Sequence, residues 1–170
     1  MTCFFKEMAS PVGVLKLVAS DKGIVAILWE NDKPNRVRLK YCVEKRDNPL
    51  LEEAEGQLNA YFAGKLEQFS LPLDIAGTEF QNKVWNALLT IPFGQTRSYQ
   101  QIAQQIGHPK AMRAVGAANG KNPISIVVPC HRVIGANGKL TGFAGGLTTK
   151  KYLLDAECIT QVGDKLSRGL

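Results

Sequence analysis

Two short stretches rich in β-branched and apolar residues, Gly13 to Ala19 and Ile24 to Trp29, flank the polar tetrapeptide Ser20-Asp21-Lys22-Gly23. That pattern predicts a β-hairpin, and Val37 to Val43 offers a third strand. The period then changes. From Leu50 to Phe62, the positions Leu51, Ala54, Leu58, Tyr61 and Phe62 recur on one side of a helix, with Gly64 as its stop. Phe69 to Gly77, which contains Pro72, reads as a linker. No reactive side chains cluster in this first stretch, so it is expected to be structural.

The second stretch has sharper punctuation. Thr78-Glu79-Phe80-Gln81 and Ser98-Tyr99-Gln100-Gln101 both have capping-box spacing, and each predicts a helix start. The first helix presents Phe80, Val84, Trp85 and Leu88 on one face and stops at Ile91-Pro92-Phe93-Gly94; the second turns Ile102, Ala103 and Ile106 inward. After Gly107-His108-Pro109 comes a third helix, about Lys110 to Ala118, built on the small residues Ala111, Ala114, Gly116, Ala117 and Ala118. Helix, glycine-containing turn and slim helix form a helix-turn-helix pattern, whose second helix can enter a DNA groove; an ordinary helical hairpin has the same pattern. Arg113 is the long basic side chain of that helix, between Lys110 and Lys121. Ile124 to Val128, apolar and bounded by prolines, predicts a buried strand. Ala136-Asn137-Gly138-Lys139 predicts a returning hairpin like the wing of a winged helix, and Leu147 to Glu157 a last helix.

The expected fold is therefore α+β. A small antiparallel-sheet-plus-helix domain spans 1–77, a winged-helix-like helix-turn-helix domain spans 78–160, and 161–170 form a tail. At 170 residues, 45% hydrophobic and 21% charged, the chain has the size of one domain or two small ones. No apolar run approaches the roughly 18 residues that span a bilayer, and the N-terminus lacks the features of a secretion signal. A cytoplasmic, reducing setting is expected, without membrane contact. The four cysteines, Cys3, Cys42, Cys130 and Cys158, are far apart with no C-x-x-C pair, so neither disulfides nor a metal site is expected, and no cofactor. With no long heptad or apolar edge, a monomer without an obligate protein partner is expected.

Charge changes the picture when the chain is divided. Through Gly77 there are 10 Lys+Arg against 11 Asp+Glu, a net of −1; from Thr78 onward there are 11 against 4, a net of +7, together the +6 of the whole chain. The entire basic excess lies in the second stretch. A polyanionic partner, most simply nucleic acid, is the natural inference.

Candidate chemistry lies in the same stretch, at Pro129-Cys130-His131-Arg132. A thiol reacts as thiolate, and a neighbouring imidazole is a common way to generate one near neutral pH. Adjacent residues of a strand point to opposite faces, so His131 can serve Cys130 only where the backbone turns, or through a bridging water. Pro129 makes a regular ladder improbable there.

Arg113 to Pro123, then Ile126 to Gly135 around Pro-Cys-His-Arg-Val, then Gly142-Phe143-Ala144-Gly145-Gly146, resemble the O6-alkylguanine-DNA alkyltransferases over about Thr78 to Glu157. The N-terminal part is similar only in its order of strands then helix, which in that family is ribonuclease H-like. The resemblance implies DNA repair by direct damage reversal: one alkyl group passes irreversibly from O6-alkylguanine, and potentially O4-alkylthymine, in double-stranded DNA to Cys130. It also implies that His131 takes the thiol proton through a water, Glu157 orients that imidazole, and Asn122 braces the turn. Tyr99 would donate to the departing guanine. The backbone of Val133 and of Phe143, Ala144, Gly145 and Gly146 would line the base pocket. Arg113 would enter the base stack from a recognition helix on which Ala111 and Gly116 allow close approach to DNA. Some relatives carry Tyr and Ser where Phe143 and Ala144 stand, so only backbone contacts carry over there. Some bind a structural zinc; Cys3 and Cys42 alone do not provide for one. His108 is expected to be a turn residue and Cys158 a packed thiol.

Two other functions share parts of this pattern. A winged-helix module that binds alkylated DNA without repairing it would need no acceptor cysteine. A Cys/His hydrolase would leave the basic half and the helix-turn-helix without a purpose.

Overall fold

The computed structural model describes residues 2–136, 138 and 142–157. The chain divides into two compact units. One holds the chain up to Ala76 together with Pro123–Ser125; the other holds Gly77–Asn122 and the chain from Ile126 onward.

In the first unit the expected hairpin is present as β2 (Leu15–Ala19) and β3 (Ile24–Leu28), preceded by β1 (Cys3–Met8). β1 pairs antiparallel with β2 from Phe4↔Ala19 to Met8↔Leu15. Its sequence, CFFKEM, lacks clean alternation, which is why the pattern did not announce it. The third expected strand shrinks to β4 (Cys42–Glu44) and runs parallel to β1. The sheet, in the order β3-β2-β1-β4, is thus mixed, not purely antiparallel. Val37 and Leu39 make no ladder; they pack with Phe5, Leu28 and Cys42 against Cys3, Val18 and Ala26. The helix α1 (Pro49–Phe62) begins where the Asn48 side chain accepts from the Leu50 and Leu51 N–H groups, and it packs on β1, β2 and β3. Leu17 and Val18, sent to opposite faces by strand alternation, are both fully buried, so both sides of the sheet are covered.

The supposed linker over 69–77 is in part docked. Ile24 N–H donates to Pro72 O at 2.8 Å, and Asp74 N–H donates to Ile24 O at 2.8 Å. A side chain at Gly23 would place its Cβ 2.8 Å from the Pro72 backbone, so this turn accepts only glycine. Further along β3, Ile27 N–H donates to Pro123 O at 2.9 Å.

The second unit opens with α2 (Glu79–Leu88) and α3 (Tyr99–Gln105), both started by the expected capping boxes of Thr78 and Ser98. α4 (Met112–Gly120) begins two residues later than its sequence suggested, with Ala111 as an N-cap that makes no side-chain bond. The three helices pack on one another, and Trp85 Nε1 donates to Ala118 O at 2.9 Å.

Ile124 to Val128 is not a strand. Ile124 makes one bridge to Ile27, residues 125–127 turn, and Ile126 has φ 73°. Prolines on both sides remove donors, and burial is reached by folding the run over: Ile126 and Val128 are at most 1% exposed. A β-branched residue in the left-handed region costs on the order of 1–3 kcal/mol, which surrounding packing must offset. Ahead of the expected wing hairpin, β6 (Val133–Ile134) pairs in parallel with β5 (Arg97–Ser98). Asn137 and Lys139 of that hairpin lie outside the described residues, as do Cys158 and the tail. α5 (Leu147–Ala156) ends at Glu157. No helix among the described residues is long and apolar enough to cross a membrane.

Candidate active site

Cys130, His131 and Arg132 form a single 3-10 turn, entered from Pro129 and left into β6. Cys130 N–H donates to Val128 O at 2.8 Å, and Arg132 N–H to Pro129 O at 3.0 Å. The backbone therefore does turn at the Cys-His pair. Two buried asparagines hold it: Asn122 Nδ2 donates to Val128 O at 2.8 Å and Asn119 Nδ2 to Cys130 O at 3.4 Å. Asn119 lies in the last turn of α4, so the end of that helix is tied directly to the turn. Cys130 forms no disulfide and is 5% exposed.

The next two side chains converge on Glu157, the residue that closes α5. His131 Nε2 lies 2.7 Å from Glu157 Oε2, and both side chains are fully buried. A carboxylate only accepts, so Nε2 carries the hydrogen and the lone pair of the neutral ring is at Nδ1. Nδ1 is buried and makes no hydrogen bond. Arg132 approaches the same carboxylate with two nitrogens, Nε to Oε1 at 2.8 Å and Nη2 to Oε2 at 3.1 Å, while Nη1 donates to Ile91 O at 2.7 Å. Lys150, fully buried on α5, donates through Nζ to Val133 O at 2.7 Å.

Burial and charge set the protonation states. Burial pushes the His131 pKa below its ordinary value, outweighing the upward pull of Glu157, so the ring is neutral near pH 7. Burial pushes the Glu157 carboxyl up, but the bonds and charges of His131 and Arg132 outweigh it and hold the group at about 2. Burial lowers the Lys150 ammonium to about 8, against an opposing pull from Cys130.

Other sequence candidates gather around a cavity of about 490 Å³ beside the start of α4. It is lined by Tyr99, Met112, Arg113, Gly116, Gly135 and Ala136. Arg113 is exposed on α4, Tyr99 opens α3, and Ala111 sits at the α4 cap. A Cβ on Gly116 would contact the Tyr99 ring at 3.8 Å, so glycine keeps this wall low. Phe143 to Gly146 lead into α5: Gly146 N–H donates to Phe143 O at 2.9 Å, and Lys150 Nζ lies 5.8 Å from the Phe143 ring centre. Among the described residues, no three His, Cys, Asp or Glu side chains gather to hold a metal ion.

Comparison with known proteins accounts for both parts of the chain. Residues 79–159 match the 6-O-methylguanine DNA methyltransferase DNA binding domain, and residues 4–75 match the ribonuclease-like domain of the same proteins. The chain belongs to the 6-O-methylguanine DNA methyltransferase family.

This family member is 50% identical over 155 residues to the methylated-DNA--protein-cysteine methyltransferase of Mycobacterium tuberculosis, covering 90% of this chain and 91% of that one. It is 49% identical over 154 residues to the protein of the same name from Methanosarcina acetivorans, covering 91% and 97%. The crystal structure of Mycobacterium tuberculosis OGT in complex with DNA superposes with a TM-score of 0.84 at 46% identity, covering 92% of each chain. Sequence reasoning on this methyltransferase missed Asn119, Arg132 and Lys150 as parts of the site. Arg132 had a signal, since it stands inside the Pro-Cys-His-Arg motif; Lys150 had none, because a lysine on an amphipathic helix reads as exposed.

Proposed function

We propose that this methyltransferase repairs double-stranded DNA in a single irreversible event, with Cys130 as acceptor of the alkyl group from O6-alkylguanine. In the reaction, Cys130 Sγ attacks the alkyl carbon bound to O6. The S–C bond forms as the C–O bond breaks, and the electron pair leaves with guanine. A thiolate suits attack at an sp³ carbon because it is soft and available near neutral pH. The thioether product has no carbonyl for water to attack, so each molecule acts once. His131 Nδ1 takes the thiol proton through one water, and Glu157 fixes the ring from the opposite nitrogen. Asn122 holds the turn. Tyr99 donates to the guanine as negative charge develops on it, and the backbone of Val133 and Phe143 to Gly146 faces the base.

The observation that carries this reading is the geometry of His131, bonded through Nε2 to Glu157 at 2.7 Å with its buried Nδ1 making no hydrogen bond, directly after Cys130 in the same turn. The target carbon is inaccessible within a stacked duplex, so the nucleotide must rotate out; unstacking costs roughly a few kcal/mol, which Arg113 inserted from α4 offsets in part. Phosphate contacts from the basic second stretch supply most of the affinity, so binding weakens with salt. The protein acts as a monomer, and the absence of a disulfide at Cys3, Cys42 and Cys130 suits a reducing, cytoplasmic compartment.

The test is to incubate the protein with a duplex holding one O6-methylguanine and weigh the peptide containing Cys130. One methyl per protein, absent from Cys130→Ala, is expected. Tight binding without mass gain would favour a recognition module, and repeated turnover of an ester would favour a hydrolase. Arg113→Ala is expected to slow transfer while Cys130 keeps its reactivity toward a small thiol reagent.

A further inference from the structure

A carboxylate bonded to a buried imidazole ordinarily raises the proton affinity of the ring. Acting on His131 alone, Glu157 would favour an imidazolium, with the proton already on the ring and no lone pair left at Nδ1. The arrangement around Glu157 opposes that outcome. Arg132 meets both carboxylate oxygens, at 2.8 and 3.1 Å, in the two-pronged geometry that a guanidinium makes with a carboxylate. Its third nitrogen is anchored 2.7 Å from Ile91 O, and its guanidinium lies 5.8 Å from the centre of the Phe93 ring. The Arg132 side chain is 7% exposed, so water screens this pair weakly.

We propose that Arg132 is a positioning residue for alkyl transfer: by clamping both oxygens of Glu157 it holds His131 as the neutral Nε2–H tautomer, with Nδ1 open to the proton of Cys130. This rests on the reading of Cys130 and His131 given above and adds a residue to it. The charge count around the ring supports it. Glu157 and Lys150 face it from the α5 side, and Cys130 and Arg132 flank it in the turn. α2, which also packs on the turn, buries only Val84, Trp85, Ala87 and Leu88, with Glu79 and Lys83 exposed. Arg132 thus opposes the negative charge of Glu157 at the ring, and Lys150 further disfavours a second positive one. Burial is the first cause of the lowered proton affinity of His131, and the charges of Arg132 and then Lys150 add to it in the same direction.

The experiment compares the wild type with Arg132→Gln and Arg132→Lys by ¹⁵N imidazole NMR from pH 5 to 9 and by single-turnover methyl transfer over the same range. With only two histidines in the chain, His108 and His131, the spectra are simple to assign. In the wild type the His131 signals should be those of a neutral Nε2–H ring. In Arg132→Gln the ring should titrate at least about one pH unit higher, and the acid limb of the rate profile should move with it by the same amount. Arg132→Lys, which keeps the charge but loses the fork, should fall between the two; it carries the test if the Gln variant does not fold. An unchanged His131 titration and an unshifted profile, in whichever variant folds, would overturn the inference. Methyl found on a residue other than Cys130 would overturn the parent reading instead, whatever the Arg132 variants do.

Discussion

Around β1 to β3 the fully enclosed side chains are Leu15, Leu17, Val18, Ile24 and Ile27, joined by Leu51 and Leu58 of α1; around the Cys130 turn they include His131, Lys150 and Glu157, with Arg132 only 6% exposed. The first unit is stabilised by removing apolar surface from water, at about 25 cal/mol per Å². The second removes charged groups from water as well, which costs several kcal/mol per ion unless each finds partners. Hydrogen bonds from Arg132 and His131 provide them for Glu157, and the Val133 carbonyl provides one for Lys150. A protein holds charges inside only where some other demand outweighs the expense. The first unit also shields an ion pair, Asp32 with Arg36, but those side chains keep 10% and 8% exposure, whereas the fully buried ionisable pair, His131 with Glu157, is in the unit that carries the reactive thiol.

Four measurements would break or sharpen this contrast. The largest effect is expected from Glu157→Gln, which leaves Arg132 buried without its counter-charge: about 3–5 kcal/mol of stability should be lost at pH 7. The same variant should lose an acid-dependent slope. Because the Glu157 pKa is depressed to about 2, its stabilisation is complete above the ordinary carboxylate value of 4.5 and disappears as pH falls from 4.5 towards 2. Urea unfolding at several pH values would read both effects.

Leu17→Ala in the apolar unit should cost about 2–4 kcal/mol by leaving a cavity. Its methyl-transfer rate per folded molecule should stay within about twofold of the wild type, since no charge or donor of the site is touched. A tenfold loss would show that the two interiors are not separable.

Lys150→Met should act in the opposite sense across alkaline pH. The Lys150 pKa is lowered from 10.5 to about 8, so the folded state releases a proton that the unfolded state keeps, and wild-type stability rises between pH 8 and 10.5. The Met variant should lack that rise, a difference of about 1–3 kcal/mol in unfolding free energy between the two ends of the range. The smallest change is expected from Thr78→Ala, where loss of the α2 capping box should lower stability by about 1 kcal/mol without altering any pH dependence.

Much of this architecture was legible from local pattern. Thr78 and Ser98 announced their helices because a capping box is made within four residues, and the β2–β3 hairpin was visible because its turn is equally local. β1 escaped notice because its own alternation is poor and its partners lie 7 to 15 positions away in β2 and 39 away in β4. The Ile124 to Val128 run misled for a related reason: apolar content says that a segment is buried, not whether it is buried as a strand or as a turn. At the site, Cys130, His131 and Glu157 could be named from a motif and a resemblance, yet Arg132 could not be given a partner, since that partner lies 25 positions further on.

The amino-acid order by itself determined where helices begin, where charge accumulates and which cysteine stands beside a histidine, because each depends on neighbours along the chain. Tertiary structure alone decided that one carboxylate would receive both an imidazole and a guanidinium, that Asn119 and Asn122 would fasten α4 to the reactive turn, and that a lysine would be enclosed without a counter-ion among the described residues. Those outcomes depend on distance in space and on exclusion of water, and neither exists until the chain has folded.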